Sequence, residues 1–176
     1  MIAAIVVALI LLAWAVMYNT LIDRRSKVEQ IFAGLETLLR KRYDLVPDLV
    51  DAAQQHMQYE AGLLAELSEL YARAVSGQVL KDEIVALNDQ ISRALGGIMV
   101  AAENYPDFKN GENFLRLQQA LADAEKQLSP VRKAYNTVVA DYNDAVETWP
   151  TNLMARMMHY TRQASFEIPA IESLDG

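Results

Sequence analysis

Residues 2–17 form a run of sixteen positions without a charge on any face, and the first basic residues, Arg24, Arg25 and Lys27, come only after Tyr-Asn-Thr-Leu-Ile at 18–22. At 1.5 Å per helical residue the run spans about 24 Å, or about 30 Å when carried through Ile22, the thickness of a bilayer's hydrocarbon core. A core helix of a soluble domain would carry polar residues along one face, and none precede Tyr18. A cleaved secretory signal is the main alternative, with Ala-Trp-Ala at 13–15 as its cleavage site. Such a signal needs a basic stretch ahead of its apolar run, whereas Met1 leads straight into Ile2. Residues 1–22 are therefore read as a transmembrane anchor. The Lys/Arg asymmetry across it places the amino terminus outside and the bulk of the chain in the cytoplasm.

Beyond the anchor the apolar spacing stays helical. Val28, Ile31, Leu35 and Leu38 step by three and four, with no break until Tyr43-Asp44, so anchor and first bundle helix are expected to be one helix of about 60 Å. Asp44 is expected to cap a second helix, with Pro47 tolerated in its first turn. Leu49, Ala53, His56, Glu60, Leu63, Leu67, Leu70 and Ala74 follow as a seam that Ser76-Gly77 ends. A third, shorter helix carries Ile84, Leu87, Ile91, Leu95 and Ile98 and runs to about Glu103, with Gly96-Gly97 marking a close helix approach or a local break. The fourth keeps the rhythm from Phe114 through Leu128, Tyr135, Val138 and Tyr142 to Trp149, with a bend expected near Pro130. Thr151 is expected to cap a short last helix reaching about His159, and the tail from Phe166 is given no regular structure.

The predicted fold is all-α. An N-terminal transmembrane helix continues into a bundle of about four antiparallel helices, the first, second and fourth long and the third shorter, followed by a short C-terminal helix. The domains expected are the anchor at 1–22, the cytoplasmic bundle at 23–165 and an irregular tail at 166–176.

Composition narrows the function. Cysteine is absent, which removes a disulfide framework, a thiolate nucleophile and a cysteine metal site. Residues 23–43 hold six Lys/Arg against three Asp/Glu, and 44–176 hold ten against twenty. A basic stalk and an acidic body argue against nucleic acid as a partner and suit a stalk beside anionic lipid. Arg24, Arg25 and Lys27 are its membrane-proximal basic residues. Arg40, Lys41 and Arg42 complement the C-terminal dipole of the first helix.

Candidate chemistry is sparse. His56 and Glu60, four residues apart, could offer two metal ligands on one helical face, but a di-iron bundle needs Glu-x-x-His on two helices, and no such motif occurs. Phosphate-binding glycine loops, Gly-x-Ser-x-Gly and His-Glu-x-x-His are missing as well. The pair reads instead as a His-Glu hydrogen bond within the bundle. No catalytic residue, cofactor or metal is expected, and the protein is read as no enzyme.

Polar residues in the seams read as structural. Tyr135 and Tyr142 can bury their rings while the hydroxyls find partners, and Asn136 and Asn143 can fix helix register at some cost in stability. Asn143→Leu is then expected to raise thermal stability while loosening assembly. Arg42, Glu125 and Arg132 are candidates for a semi-buried ion network.

The doublets Tyr18-Asn19, Tyr135-Asn136 and Tyr142-Asn143 stand beside three longer strings: Arg-Tyr-Asp-Leu-Val-Pro-Asp-Leu-Val at 42–50, Ala-Glu-Asn-Tyr-Pro-Asp-Phe-Lys at 102–109 and Glu-Asn-Phe-Leu-Arg-Leu-Gln at 112–118. With these in order over residues 18–167, the chain resembles the LemA family. The resemblance implies a bacterial single-pass protein with a short external amino terminus and an internal bundle of long helices, in a family without an established common activity. Some relatives are associated with membrane shaping. This chain departs from the family at Met-Gln-Tyr-Glu, 57–60, where Tyr59 stands in place of a histidine.

The function expected is a membrane-anchored, non-enzymatic helical scaffold in the inner membrane of a bacterium, self-associating and organising envelope components. A membrane-remodelling coat and an adaptor for a membrane enzyme are the alternatives. Partners expected are the lipid bilayer, further copies of the chain and other membrane proteins.

Overall fold

The computed structural model describes residues 1–77 and 79–166, and among them every regular element is helical. Helix α1, Ile2–Tyr43, is unbroken for 42 residues. Alanine, leucine and other residues compatible with helix fill it, and Gly34 alone interrupts the side-chain pattern. It ends where Asp44 N–H donates to the Arg40 carbonyl and Leu45 N–H to that of Arg42, ahead of Pro47 in the first turn of α2, Val46–Gln54. Leu45, not Asp44, occupies the cap position of α2, and no side chain caps it.

The expected second helix is two. After α2 the chain passes through a turn and a 3-10 segment, Gln58–Glu60, before α3, Ala61–Val75. Met57 lies in the break: it leaves helical backbone geometry at φ −108°, ψ 59° and buries its side chain completely. The following helix is thereby turned so that Leu64 is buried where the uninterrupted seam expects Leu63. Helix α4, Lys81–Ala101, is 21 residues long, longer than α2 or α3 and not the shorter partner expected. It passes through Gly96-Gly97 without a break and ends in a 3-10 turn, Ala102–Asn104, before the short α5, Pro106–Lys109. Helix α6, Glu112–Glu147, contains Pro130, and Trp149, expected in its apolar stripe, is 75% exposed.

Helix α7, Thr151–Met157, closes the series. Thr151 lies inside it, its hydroxyl donating to the Ala145 and Thr148 carbonyls. The helix ends before His159 because that residue takes a left-handed φ of 54°. His159 N–H then donates to Arg156 and Tyr160 N–H to Ala155, a Schellman stop with histidine where glycine is usual. Phe166 is buried outside any regular element; the rest of the expected tail, 167–176, lies outside the described residues.

The chain divides into two compact units, residues 1–34 with 133–165, and residues 35–132 with Phe166. Leu21, Val28, Phe32, Tyr135, Val139 and Tyr142 are buried in the first. Its ring pair Phe32–Tyr135 has centroids 5.7 Å apart. In the second, α2 packs on α3 and α3 on α4, with Leu49, Leu67, Leu87, Ile91 and Ile98 essentially inaccessible.

Candidate functional site

Nearly every side chain of α1 from Ile2 through Thr20 is exposed, and the helix is long and apolar enough to cross a membrane. Leu21 is the first fully buried residue. The three membrane-proximal basic residues all have partners within the first unit. Arg24 Nη1 donates to the Asp141 carbonyl of α6, and Arg25 lies over the Tyr160 ring, 4.6 Å from its centroid. Lys27 pairs with Asp23 one turn earlier at 2.8 Å, both well exposed.

Arg42, Glu125 and Arg132 come together in the second unit. Arg132 Nη1 donates to Glu125 Oε1 at 3.0 Å, while Arg42 Nη1 stands 3.5 Å from Glu125 Oε2 and donates to Ser92 Oγ at 2.9 Å and Asn88 Oδ1 at 3.3 Å. The guanidinium side chains are 9% and 5% exposed and the glutamate side chain 37%, yet Glu125 Oε2, the oxygen nearest Arg42, is shielded from solvent, so two buried cations lean on one partly buried glutamate. Burial depresses the Arg42 pKa below the ordinary arginine value; Glu125 opposes that shift and Arg132 adds to it. Although Arg42 is in the last turn of α1, it is buried and faces protein, whereas Arg40 and Lys41 are exposed. Next to the network lies a cavity of about 580 Å³ with mainly apolar walls, including Leu95, Gly96, Met99 and Leu121.

The Tyr-Asn doublets of α6 have a role that helix periodicity does not reveal. Tyr142 Oη donates to the Thr161 carbonyl at 3.1 Å and Tyr135 Oη to the Ala164 carbonyl at 3.2 Å. Asn143 is 8% exposed; its Nδ2 donates to the Gln163 carbonyl and its Oδ1 accepts from Gln163 N–H, both at 2.9 Å. Arg162 adds an exposed ion pair to Glu147 at 3.0 Å. The segment after α7 is therefore a strap laid along α6. Its spacing follows from elementary geometry: three extended residues from Thr161 to Ala164 cover about 10 Å, and the seven helical residues from Tyr142 back to Tyr135 rise about the same. One heptad of helix thus meets one short stretch of extended chain. Asn143 satisfies strap backbone instead of setting register between helices, because its amide can pair with both Gln163 backbone groups at once. Asn136 is half-buried one heptad earlier.

His56 and Glu60 do not share a helical face. His56 falls in the turn after α2 and Glu60 at the end of the 3-10 segment, since the break at Met57 removes the four-residue register. The His56 ring is stacked with Phe108, centroids 5.7 Å apart. Tyr59 is 92% exposed. Among the described residues no three His, Cys, Asp or Glu side chains converge in a way that could hold a metal ion.

The family model described as the LemA family matches residues 31–174. Relatives of known name are distant but extensive. The Protein LemA of Metamycoplasma hominis is 20% identical over 157 residues, covering 89% of this chain and 72% of that protein. Magnetosome protein MamQ of Magnetospirillum gryphiswaldense is 21% identical over 179 residues, 87% of this chain and 66% of the relative. Magnetosome protein MamQ 1 of Paramagnetospirillum magneticum is 20% identical over 175 residues, 85% of this chain and 64% of the relative. The chain thus spans just under two thirds of the magnetosome relatives' length.

Proposed function

The chain belongs to the LemA family, and from that premise we propose that it is a membrane-anchored, non-enzymatic helical scaffold that self-assembles and organises membrane components. The observation that carries this reading is the double use of α1. Its first sixteen residues are apolar and mostly exposed, and the same unbroken helix then supplies Leu21, Val28 and Phe32 to the core. A span joined to a folded unit through continuous helix transmits position, whereas a flexible tether would not. Ala3, Ala4, Ala8, Ala13 and Ala15 within the span leave small surfaces where helices of several copies can approach closely.

The non-enzymatic part is supported by the relatives' names, none of which is an enzyme name, and by the sequence's lack of a catalytic constellation. Orientation in a bacterial inner membrane, amino end outside and bulk cytoplasmic, is supported by the basic residues that follow the span. The intramolecular contacts of Arg24 and Arg25 favour the scaffold over a coat that grips lipid through these side chains.

The test is the mass of the detergent-solubilised full chain by light scattering. A scaffold gives a discrete species at a multiple of the 19.7 kDa protomer. A monomer carrying a defined partner at fixed ratio supports the adaptor reading, and a bare monomer contradicts self-assembly.

A further inference from the structure

We propose that α7 is an interfacial helix whose outward face, formed with Trp149, Leu153 and Met157, lies in the headgroup layer of the bilayer that α1 spans. The inference rests on the reading of α1 as a membrane span and adds a second point of contact to it.

Depth in the bilayer sets the place of α7. The nineteen residues of α1 up to Thr20 rise about 28 Å, close to a hydrocarbon thickness of about 30 Å. Leu21 therefore stands where hydrocarbon gives way to headgroups. That residue is fully buried in a cluster with Ala145 at the end of α6 and with Met154 and Ala155 of α7. Whatever packs on Leu21 stands at the same level, so α7 is held at the membrane boundary irrespective of the direction in which its axis runs.

The chemistry of the outward face fits that depth. At about 100° per residue, Leu153 and Met157 each fall about 160° from buried Ala155, with Met154 at the flank of their face, and they are 55% and 62% exposed; Trp149, just ahead of the helix, is 75% exposed. Three large apolar side chains turned outward on a short segment would be a liability in water. At a bilayer boundary they match the preference of tryptophan for headgroups and of aliphatic side chains for the acyl edge. Exposed Arg156 lies on the same side, and Tyr160, packed partly against the Leu21 cluster, sits under the Arg25 guanidinium. Trp149 and the exposed Arg156 at one level match the composition of a membrane interface, while Arg25 is held within the protein by Tyr160. A bilayer fits better than a second copy because the depth of Leu21 puts lipid there already.

The chain's two tryptophans allow a direct test in lipid nanodiscs of the full-length protein. In Trp14→Phe the remaining Trp149 is expected to lose roughly half its emission to lipids brominated near the headgroup, and to be shielded from aqueous iodide. Unchanged Trp149 emission in brominated lipid overturns the proposal, whether iodide reaches the ring or a protein surface shields it. In the companion Trp149→Phe, Trp14 reports the span through lipids brominated deep in the acyl chain. Quenched Trp14 with unquenched Trp149 sinks the interfacial helix alone; if neither is quenched, the spanning reading fails and takes this one with it.

Discussion

Asn143 and Gln163 exchange two hydrogen bonds, side-chain amide to backbone, each 2.9 Å long. Together with the Tyr135 and Tyr142 hydroxyls they fasten residues 161–164 to α6. A strap lacking helix or strand has no ladder of its own, so its partly buried N–H and C=O groups depend on these side chains.

Asn143→Leu should therefore lower stability, the reverse of what helix periodicity suggests. It leaves both Gln163 backbone groups without partners in a partly buried setting, a loss of about 2 kcal/mol, or about 5 °C in Tm for a domain of this size. Asn143→Asp keeps the acceptor, loses the donor and should fall between. Thermal unfolding followed by circular dichroism ranks the three proteins.

Glu125 holds two buried guanidiniums at once. Breaking a buried pair by removing one partner is costly because the remaining charge stays desolvated. Here the glutamate side chain as a whole is over a third exposed although its Oε2 is shielded, so screening reduces the effect only in part and Glu125→Gln is expected to cost about 1–2 kcal/mol. The urea midpoint should fall with an unchanged slope; an unmoved midpoint would mean that water already compensates both arginines.

Legibility in the sequence followed the physics of each element. The long α1 and α6 were readable because a three-four apolar rhythm over many turns leaves few alternatives. The break at Met57 was not, for Gln-Gln-His-Met-Gln at 54–58 contains no glycine or proline, and a non-helical methionine whose side chain fills a core position has no local signature. The strap was invisible for a similar reason: Thr-Arg-Gln-Ala-Ser at 161–165 has no period, and what holds it are backbone groups. The doublets Tyr135-Asn136 and Tyr142-Asn143 did carry the signal, as polar residues one heptad apart facing inward, but nothing local said that their partner was extended chain instead of helix. Arg42, Glu125 and Arg132 could be singled out as charges near apolar stripes, whereas the contributions of Ser92 and Asn88 depend on how α4 packs.

Tyr43 should make the protein lose stability in alkali. Its hydroxyl is buried without a hydrogen-bond partner, and burial holds the phenol well above its ordinary value of 10.0, with Arg42 opposing too weakly to cancel. The folded state therefore keeps its proton where the unfolded chain has released it. This contribution is fully present below the unfolded value and is lost as pH rises beyond it toward the folded value. In Tyr43→Phe, urea unfolding from about pH 8 to about pH 11 should show a shallower alkaline decline. Burial raises the Tyr142 phenol as well, so some decline should remain.

The two adjacent glycines of α4 should respond differently to alanine. A methyl group at Gly96 meets nothing within 4 Å, whereas one at Gly97 comes to 3.4 Å from both Leu63 Cδ atoms. Gly96→Ala is expected to stabilise by about 0.5–1 kcal/mol through lower unfolded-state entropy and better helix propensity. Gly97→Ala should gain less, since its methyl group meets both Leu63 Cδ atoms at the near edge of van der Waals contact. Chemical denaturation of the two variants side by side checks the order.

The proposed scaffold requires that the anchored chain assemble with itself in a membrane. Counting photobleaching steps tests it without detergent: the chain has no cysteine, so Glu66→Cys at an exposed position of α3 takes a single dye, and labelled protein is placed in vesicles at low protein-to-lipid ratio. Self-assembly gives several steps per spot, with a preferred number that persists on further dilution in lipid. Single-step bleaching at every dilution would contradict it.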